Sequence, residues 1–271
     1  MVDLDDDRCD VDCVTSVDTI AGASSSGTFG ETFLNVAFAR LDVRERLELL
    51  VRRIAGPVVF TTSFGLEDQA LTHLIMQARI DCRFVTLDTG RLFPQTHVVW
   101  ADTEERYGIQ VEAFYPRREA LVRLVRESGI NGFYRSIDAR HACCLVRKIE
   151  PLNRALQGAA AWLTGLRADQ SENRQGQTFV STDTDRNLLK VNPLLDWSRD
   201  QVAALVGEAS VPYNSLHDEG FLSIGCAPCT RAVASGEPER AGRWWWEHDQ
   251  TRECGLHMTP DGRLVRSEQV S

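Results

Sequence analysis

The sequence predicts an α/β fold, a mostly parallel twisted sheet with helices on both faces. Three observations predict it. Short β-branched runs alternate with stretches of helical period along most of the chain. Two of the early runs end in glycine turns that lead towards the next helical stretch. The chain has 271 residues, 43% hydrophobic and 25% charged, which fits one large globular domain or two small ones.

The elements follow in order. In LDVRERLELLVRRIAG, Asp42 caps a helix and Glu45 completes a capping box. Leu47, Leu50, Val51 and Ile54 share one face, and Gly56-Pro57 stops the helix. VVFTTS reads as a buried strand, followed by a glycine turn and an apolar-periodic helix from Leu66 to Arg79. RFVTLDTG is a second strand, PQTHVVWADTEERYG a helix, and IQVEAFY a third strand. AAWLTGLR and NLLKVNPL are two more strands. Ser198 and Gln201 form a second capping box that opens SRDQVAALVGEA.

Charge divides the chain. The net charge is −9, and the first thirty residues carry seven acids against Arg8. Residues 1–30, with their Ser-Ser-Ser-Gly stretch, read as an acidic disordered tail. The body is left at about −3 with no broad basic face, which argues against a nucleic-acid binder. No apolar run is long enough for a membrane span and no signal peptide opens the chain, so a cytoplasmic protein is expected. The domain reading is a tail over 1–30, an α/β body over 31–240 and a C-terminal segment over 241–271. Oligomeric state is left open, a homo-oligomer included.

In a parallel α/β sheet, ligands sit at the carboxyl ends of the strands. The first strand ends in Ser63-Phe64-Gly65 directly before a helix, where backbone N–H groups make an anion site. The second ends in Asp88-Thr89-Gly90, an acceptor, a hydroxyl and a bare backbone suited to a ribose or an adenine amino group. Each has a plain alternative as an ordinary turn. TGLRADQSENR offers Arg167 and Arg174 to a phosphate or sulfate, although from this stretch alone a solvated loop is the better reading.

Cysteine spacing is the strongest signal. Cys143-Cys144 and Cys226-Ala-Pro-Cys229 supply four thiolates, enough for a structural zinc or a [4Fe-4S] cluster. Adjacent cysteines diverge and wrap one ion poorly, whereas a cubane offers each sulfur its own iron, so the cluster is favoured. Lys148, four residues after Cys144, would share its helix face and offset the cluster's negative charge. Arg240 and Arg243 would share a helical face before Trp244, Trp245 and Trp246, which read as packing. Cys9 and Cys13 have no ordered context, and Cys82 reads as core.

SFGLED, LDTGRLF, CC…RKIEPL, TGLRADQS, NPLLDWS, CAPC and ECGLH occur together, in the order found in assimilatory sulfonucleotide reductases. The chain resembles the bacterial iron–sulfur adenylyl-sulfate (APS) reductases of that family from about Pro57 to His257. The resemblance implies an adenine-nucleotide α-hydrolase-like (PP-loop type) fold whose C-terminal segment carries the nucleophile. It implies a [4Fe-4S] cluster on Cys143, Cys144, Cys226 and Cys229, and Cys254 as nucleophile. It implies that Lys148 links cluster and substrate, and that Arg167, Arg240 and Arg243 bind the substrate's anionic groups, with His257 a further cation near the thiol. The substrate would be APS rather than its 3′-phosphorylated form PAPS, because PAPS reductases generally lack the cluster cysteines. The reductant would be an external thioredoxin, since no thioredoxin-like domain is present. Gln95-Thr96 stands where the family usually has Glu-Thr. The alternatives are a PAPS reductase with an unusual cluster, a tRNA-thiolating enzyme and, from another class, a zinc-stabilised nucleotide-binding module without turnover.

Overall fold

The computed structural model describes residues 27–247. The strands β1 (Val58–Thr62), β2 (Arg83–Leu87), β3 (Glu112–Phe114), β4 (Ala161–Leu163), β5 (Val180–Asp183) and β6 (Leu188–Val191) form one sheet. Their order is β3-β2-β1-β4-β6-β5. All neighbours pair in parallel except β5, which runs antiparallel to β6 at the edge. The chain adds β2 and then β3 on one side of β1, and later returns to place β4 on the other. That reversal opens a crevice at the carboxyl ends of β1 and β4.

Helices cover both faces, as expected. Alternate strand residues point to opposite sides. Phe60, Phe84, Leu163 and Val191 pack with α1 (Gly27–Phe38), α2 (Val43–Arg53), α3 (Leu66–Gln77), α4 (Pro94–Tyr107) and α8 (Arg199–Glu208). Val59, Val85 and Trp162 face the other way, onto Leu152, Ala155 and Leu156 at α7 (Glu150–Ala155). Both expected capping boxes form, Asp42 with Glu45 and Ser198 with Gln201.

The structure departs from the sequence reading in several places. The helix at Leu66 ends at Gln77, and Arg79 takes a left-handed φ of +52°. The third strand shortens to three residues. Three elements were not anticipated, the edge strand β5, the helix α5 (Arg118–Ser128) and the helix α1, which starts at Gly27, inside the stretch 1–30 read as a disordered tail. Val51 is exposed and Ile54 half-buried, so the buried face of α2 is Val43, Arg46, Leu47 and Leu50. Lys148 does not follow Cys144 on an uninterrupted α-helix. A π-helical turn, Leu145–Ile149, joins α6 (Ile137–Cys144) to α7 and shifts the facing by one residue. Arg240 and Arg243 lie in turns, not on a helix, although Arg243 N still donates to Arg240 O at 2.9 Å. No helix among the described residues is long and apolar enough to cross a membrane.

Arg46 is buried because it ties the N-terminal helices to the sheet. Its Nε donates to Phe38 O at 2.8 Å, its Nη1 to Pro193 O at 2.7 Å, and both Nη atoms to the Asp196 carboxylate at 2.7 Å. Arg46→Leu removes every one of those donors at a closed site. It should lower the unfolding free energy by about 2–3 kcal/mol in chemical denaturation. A loss within error would contradict this role.

Candidate active site

The tip of β1 turns sharply into α3. Phe64 N donates to Thr62 Oγ1 at 3.0 Å, and Phe64 takes a left-handed φ of +57°. Its ring is buried and stacks on Trp100 with centroids 5.5 Å apart. Ser63 donates from N and Oγ to Asp68 Oδ2, both at 2.7 Å. Gly65 caps α3 without a side-chain bond, so the first amides of the helix face the crevice.

The tip of β4 presses against this turn. A Cβ on Gly165 would sit 2.4 Å from Asp68 Oδ1 and 3.2 Å from Asp68 N. Only glycine allows that approach. Burial pushes the Asp68 carboxyl up to about 6, against the bonds from Ser63 and the Gly165 backbone.

A cavity of about 200 Å³ opens among the tips of β1, β2 and β4. Ser63, Gly65, Thr89, Lys148, Arg240 and Arg243 all line it, as does Arg174. His217 also lines it. Its Nδ1 lies 2.7 Å from Phe221 O, which fixes the proton there and leaves the buried Nε2 as an acceptor without a partner.

A second, smaller cavity of about 20 Å³ lies beside the first and is bordered by Cys143, Cys144, Cys226 and Cys229. Arg91, Arg140, Arg147, Lys148 and Arg243 border it too, so Lys148 and Arg243 belong to both cavities. Arg140 is closed off in a bidentate pair with Glu247 at 2.7 and 2.9 Å, and it lies over the Trp244 ring. Thr89 joins the two sites, with its Oγ1 3.3 Å from Cys226 Sγ and its carbonyl accepting from Arg147 Nη1 at 2.5 Å. Burial pushes the Cys226 thiol up, but Lys148, the Thr89 bond, Arg243 and Arg147 together bring it below its ordinary value. Cys229 has less compensation, and burial with the Cys226 charge lifts it to about 12. Among the described residues no group of three His, Cys, Asp or Glu side chains is placed to hold a single metal ion. The four thiols border one cavity together with five cationic side chains.

Several expected residues stand elsewhere. Phe64 is packed in the core, and Asp88 accepts from Gly90 N at 2.8 Å in a local turn; neither lines the cavity. Gly90, with φ +67°, supplies that turn. Arg167 does not line the cavity either. Its side chain is 0% exposed and enclosed by Glu67, Asp169 and Glu239, so it presents no donor to an anion. Arg174, seven residues on, reaches the cavity wall from a short 3₁₀ turn, while its Nη1 also donates to Gln170. Asp68 and His217 were not singled out from the sequence. Cys254 and His257 lie outside the described residues.

Residues 57–232 match the model of the phosphoadenosine phosphosulfate reductase domain. Over 235 residues the chain is 49% identical to adenosine 5′-phosphosulfate reductase of Agrobacterium fabrum, spanning 87% of this chain and 90% of that one. It is 50% identical over 213 residues to the protein of that name from Allochromatium vinosum, with 78% and 83% covered. Phosphoadenylyl-sulfate (PAPS) reductase from Candida auris, solved with phosphate, is similar in structure at a TM-score of 0.66 and 27% identity, over 79% of this chain and all of that one. An FMN adenylyltransferase from Candida glabrata shares the fold alone, at a TM-score of 0.50 and 14% identity, over 86% of this chain and 80% of that one. The α/β class expected from the sequence is therefore the observed one.

Asp68 gives the site a pH signature. A carboxyl raised to about 6 holds its proton more tightly folded than unfolded. Its stabilising contribution is complete below the ordinary value of 3.8 and is lost as pH rises through about 6. From about pH 4 to about pH 7 the unchanged protein should lose about 1–2 kcal/mol that Asp68→Asn does not lose, after discounting for solvent around this half-buried group. Parallel pH profiles of unfolding free energy for the two proteins would contradict the assignment.

Proposed function

We propose a function from the family to which the chain belongs, the phosphoadenosine phosphosulfate reductases, a membership that makes it an oxidoreductase. From that membership we propose that it reduces adenosine 5′-phosphosulfate (APS) to sulfite and AMP in the cytoplasm, as a step of sulfate assimilation. The observation that carries this reading is the cavity at the switch point. It combines the strand tips suited to a nucleotide with four cationic side chains, Lys148, Arg174, Arg240 and Arg243, suited to a phosphosulfate. Relatives about half identical over most of their length are named for this substrate.

In the proposed reaction the Cys254 thiolate attacks the sulfur of APS. A sulfur–sulfur bond forms, the bond from that sulfur to the phosphate oxygen breaks, and AMP leaves with the bonding pair. Cys254 then carries a thiosulfonate. A thiolate of reduced thioredoxin attacks the Cys254 sulfur, sulfite leaves, and the second thioredoxin thiol resolves the mixed disulfide. The thioredoxin dithiol is oxidised by two electrons, sulfur is reduced from sulfate to sulfite, and Cys254 returns as thiolate.

The chain's own residues have two tasks in this scheme. Lys148, Arg174, Arg240 and Arg243 offset the repulsion between a thiolate and an anionic sulfate. Cations near the nucleophile, His257 among them, keep the thiol ionised near neutral pH. The four thiols and their cationic surround fit a [4Fe-4S] cluster, which we assign to Cys143, Cys144, Cys226 and Cys229. When bound, that group supplies fixed negative charge and ties the α6–α7 helix to the Cys226–Cys229 turn.

Cys254→Ser tests the reaction. With reduced thioredoxin the unchanged protein should release sulfite from APS and far less from PAPS. The Ser variant should release none and still bind AMP. Sulfite release by the variant would overturn the nucleophile, and equal turnover of PAPS would overturn the substrate. Iron analysis tests the cluster separately. About four irons per chain and visible absorption are expected, both lost in Cys226→Ser, whereas a colourless zinc protein would refute it.

A further inference from the structure

Arg167 has the residue type of an anion ligand and none of the access. Its Nε and Nη2 donate to Glu67 Oε1 at 3.0 and 2.9 Å, its Nη2 to Glu239 at 2.8 and 3.1 Å, and its Nη1 to Asp169. Glu67 lies in the first turn of α3, and Glu239 immediately precedes Arg240. A guanidinium so enclosed is spent on its neighbours. What it does is join three segments that are far apart in sequence: the start of α3, the tip of β4, and the segment that carries Arg240 and Arg243.

We propose that Arg167 is a positioning residue, which holds Glu239 against the start of α3 and so sets where Arg240 meets the substrate's anionic end. This rests on the reading of the cavity as a sulfonucleotide site.

The segment that carries the two arginines is anchored at both ends, and the anchors differ. At its base, Arg231 N donates to Gly242 O at 3.0 Å and Trp244 N to Cys229 O at 3.1 Å. Arg243 is seated there by backbone. A Cβ on Gly225 would lie 2.3 Å from its Nη2, so the guanidinium rests on bare main chain, and its Nη1 donates to Ile224 O at 3.1 Å. Arg240 stands further out, next to Glu239. Arg167 anchors Glu239 there at 2.8 and 3.1 Å, and Arg199 Nη1 adds a longer contact to Glu239 at 3.4 Å. Breaking a buried pair of this kind displaces whatever it was holding, and small displacements at a charged site are expensive in binding.

Glu239→Gln separates the alternatives, because they predict opposite signs. The substitution removes a negative charge from the cavity wall and releases Arg167 from one partner. If Arg167 were a substrate ligand, both effects would tighten APS binding. As a positioning contact, its loss should raise the KM for APS by about tenfold or more with a smaller change in kcat. Arg167→Lys, which keeps the charge and loses the fork, should give the same rise. The double variant should be no worse than either single one, since both break one contact. APS binding by Glu239→Gln as tight as in the unchanged protein, or tighter, would overturn the inference. So would a fall in melting temperature with KM unmoved. Should Glu239→Gln prevent folding, Glu239→Asp replaces it: it keeps the charge and shortens the reach to Arg167, and the same rise in KM is expected, whereas unchanged or tighter APS binding would overturn the inference. An unchanged protein that binds no APS would sink the substrate reading itself, before any variant is compared.

Discussion

Arg167 is fully enclosed, and a charge taken out of water has to be met by opposite charge within hydrogen-bond reach. Here the carboxylates of Glu67 and Glu239 meet it, one from α3 and the other from the segment before Trp244. Two residues back along the chain, Gly165 lies against Asp68 so closely that a methyl group would collide. The Glu67-Asp68 pair on α3 and the Gly165–Arg167 stretch after β4 thus form one junction, by packing on one side and by charge on the other. The crevice exists because β1 and β4 are neighbours whose connections leave in opposite directions. The junction fixes the spacing of its walls.

The charges around the crevice are sorted by this junction. Glu67 is held ionised: burial pushes its carboxyl up, but the Arg167 charge and the hydrogen bonds it receives bring it lower. Glu239 is raised by burial and by Glu67, and relies on Arg167 and Arg199 for compensation. Glu67, Asp68 and Glu239 line the cavity together with Lys148 and Arg243, and Arg167 offsets the charge of Glu67 and Glu239. Lys148 and Arg243 also border the four cysteines. One pair of cations therefore faces two anionic groups in the proposed function, a substrate on one side and a cluster on the other. Thr89 bridges the same gap from the tip of β2.

What the sequence revealed follows the range of the forces involved. Capping boxes are local, and both were readable from residues three apart. The central strands announce themselves as β-branched runs. β5 is a partly polar edge strand, and α5 opens on Arg117 without a capping side chain and buries no residue fully, so neither carries a strong local signal. The cysteine pairs were legible by spacing, and the structure does gather them around one cavity. The enclosure of Arg167 was not legible because its partners lie 100 and 72 residues away in sequence. From this stretch alone the arginine reads as part of a solvated loop, and only the resemblance to sulfonucleotide reductases implies a ligand. Only the fold shows that its carboxylates reach it first and that Arg174 faces the cavity instead. The π turn after Cys144 is equally invisible to a count of four residues along a helix.

The central claim is that this crevice delivers the sulfur of APS to Cys254. Mass spectrometry of the intact protein incubated with APS, with no thioredoxin or other thiol present, tests it most directly. The account predicts a single adduct of the mass of sulfite, mapped to Cys254 and removed by reduced thioredoxin. An unmodified Cys254 under those conditions, or an adduct on a different cysteine, would contradict it.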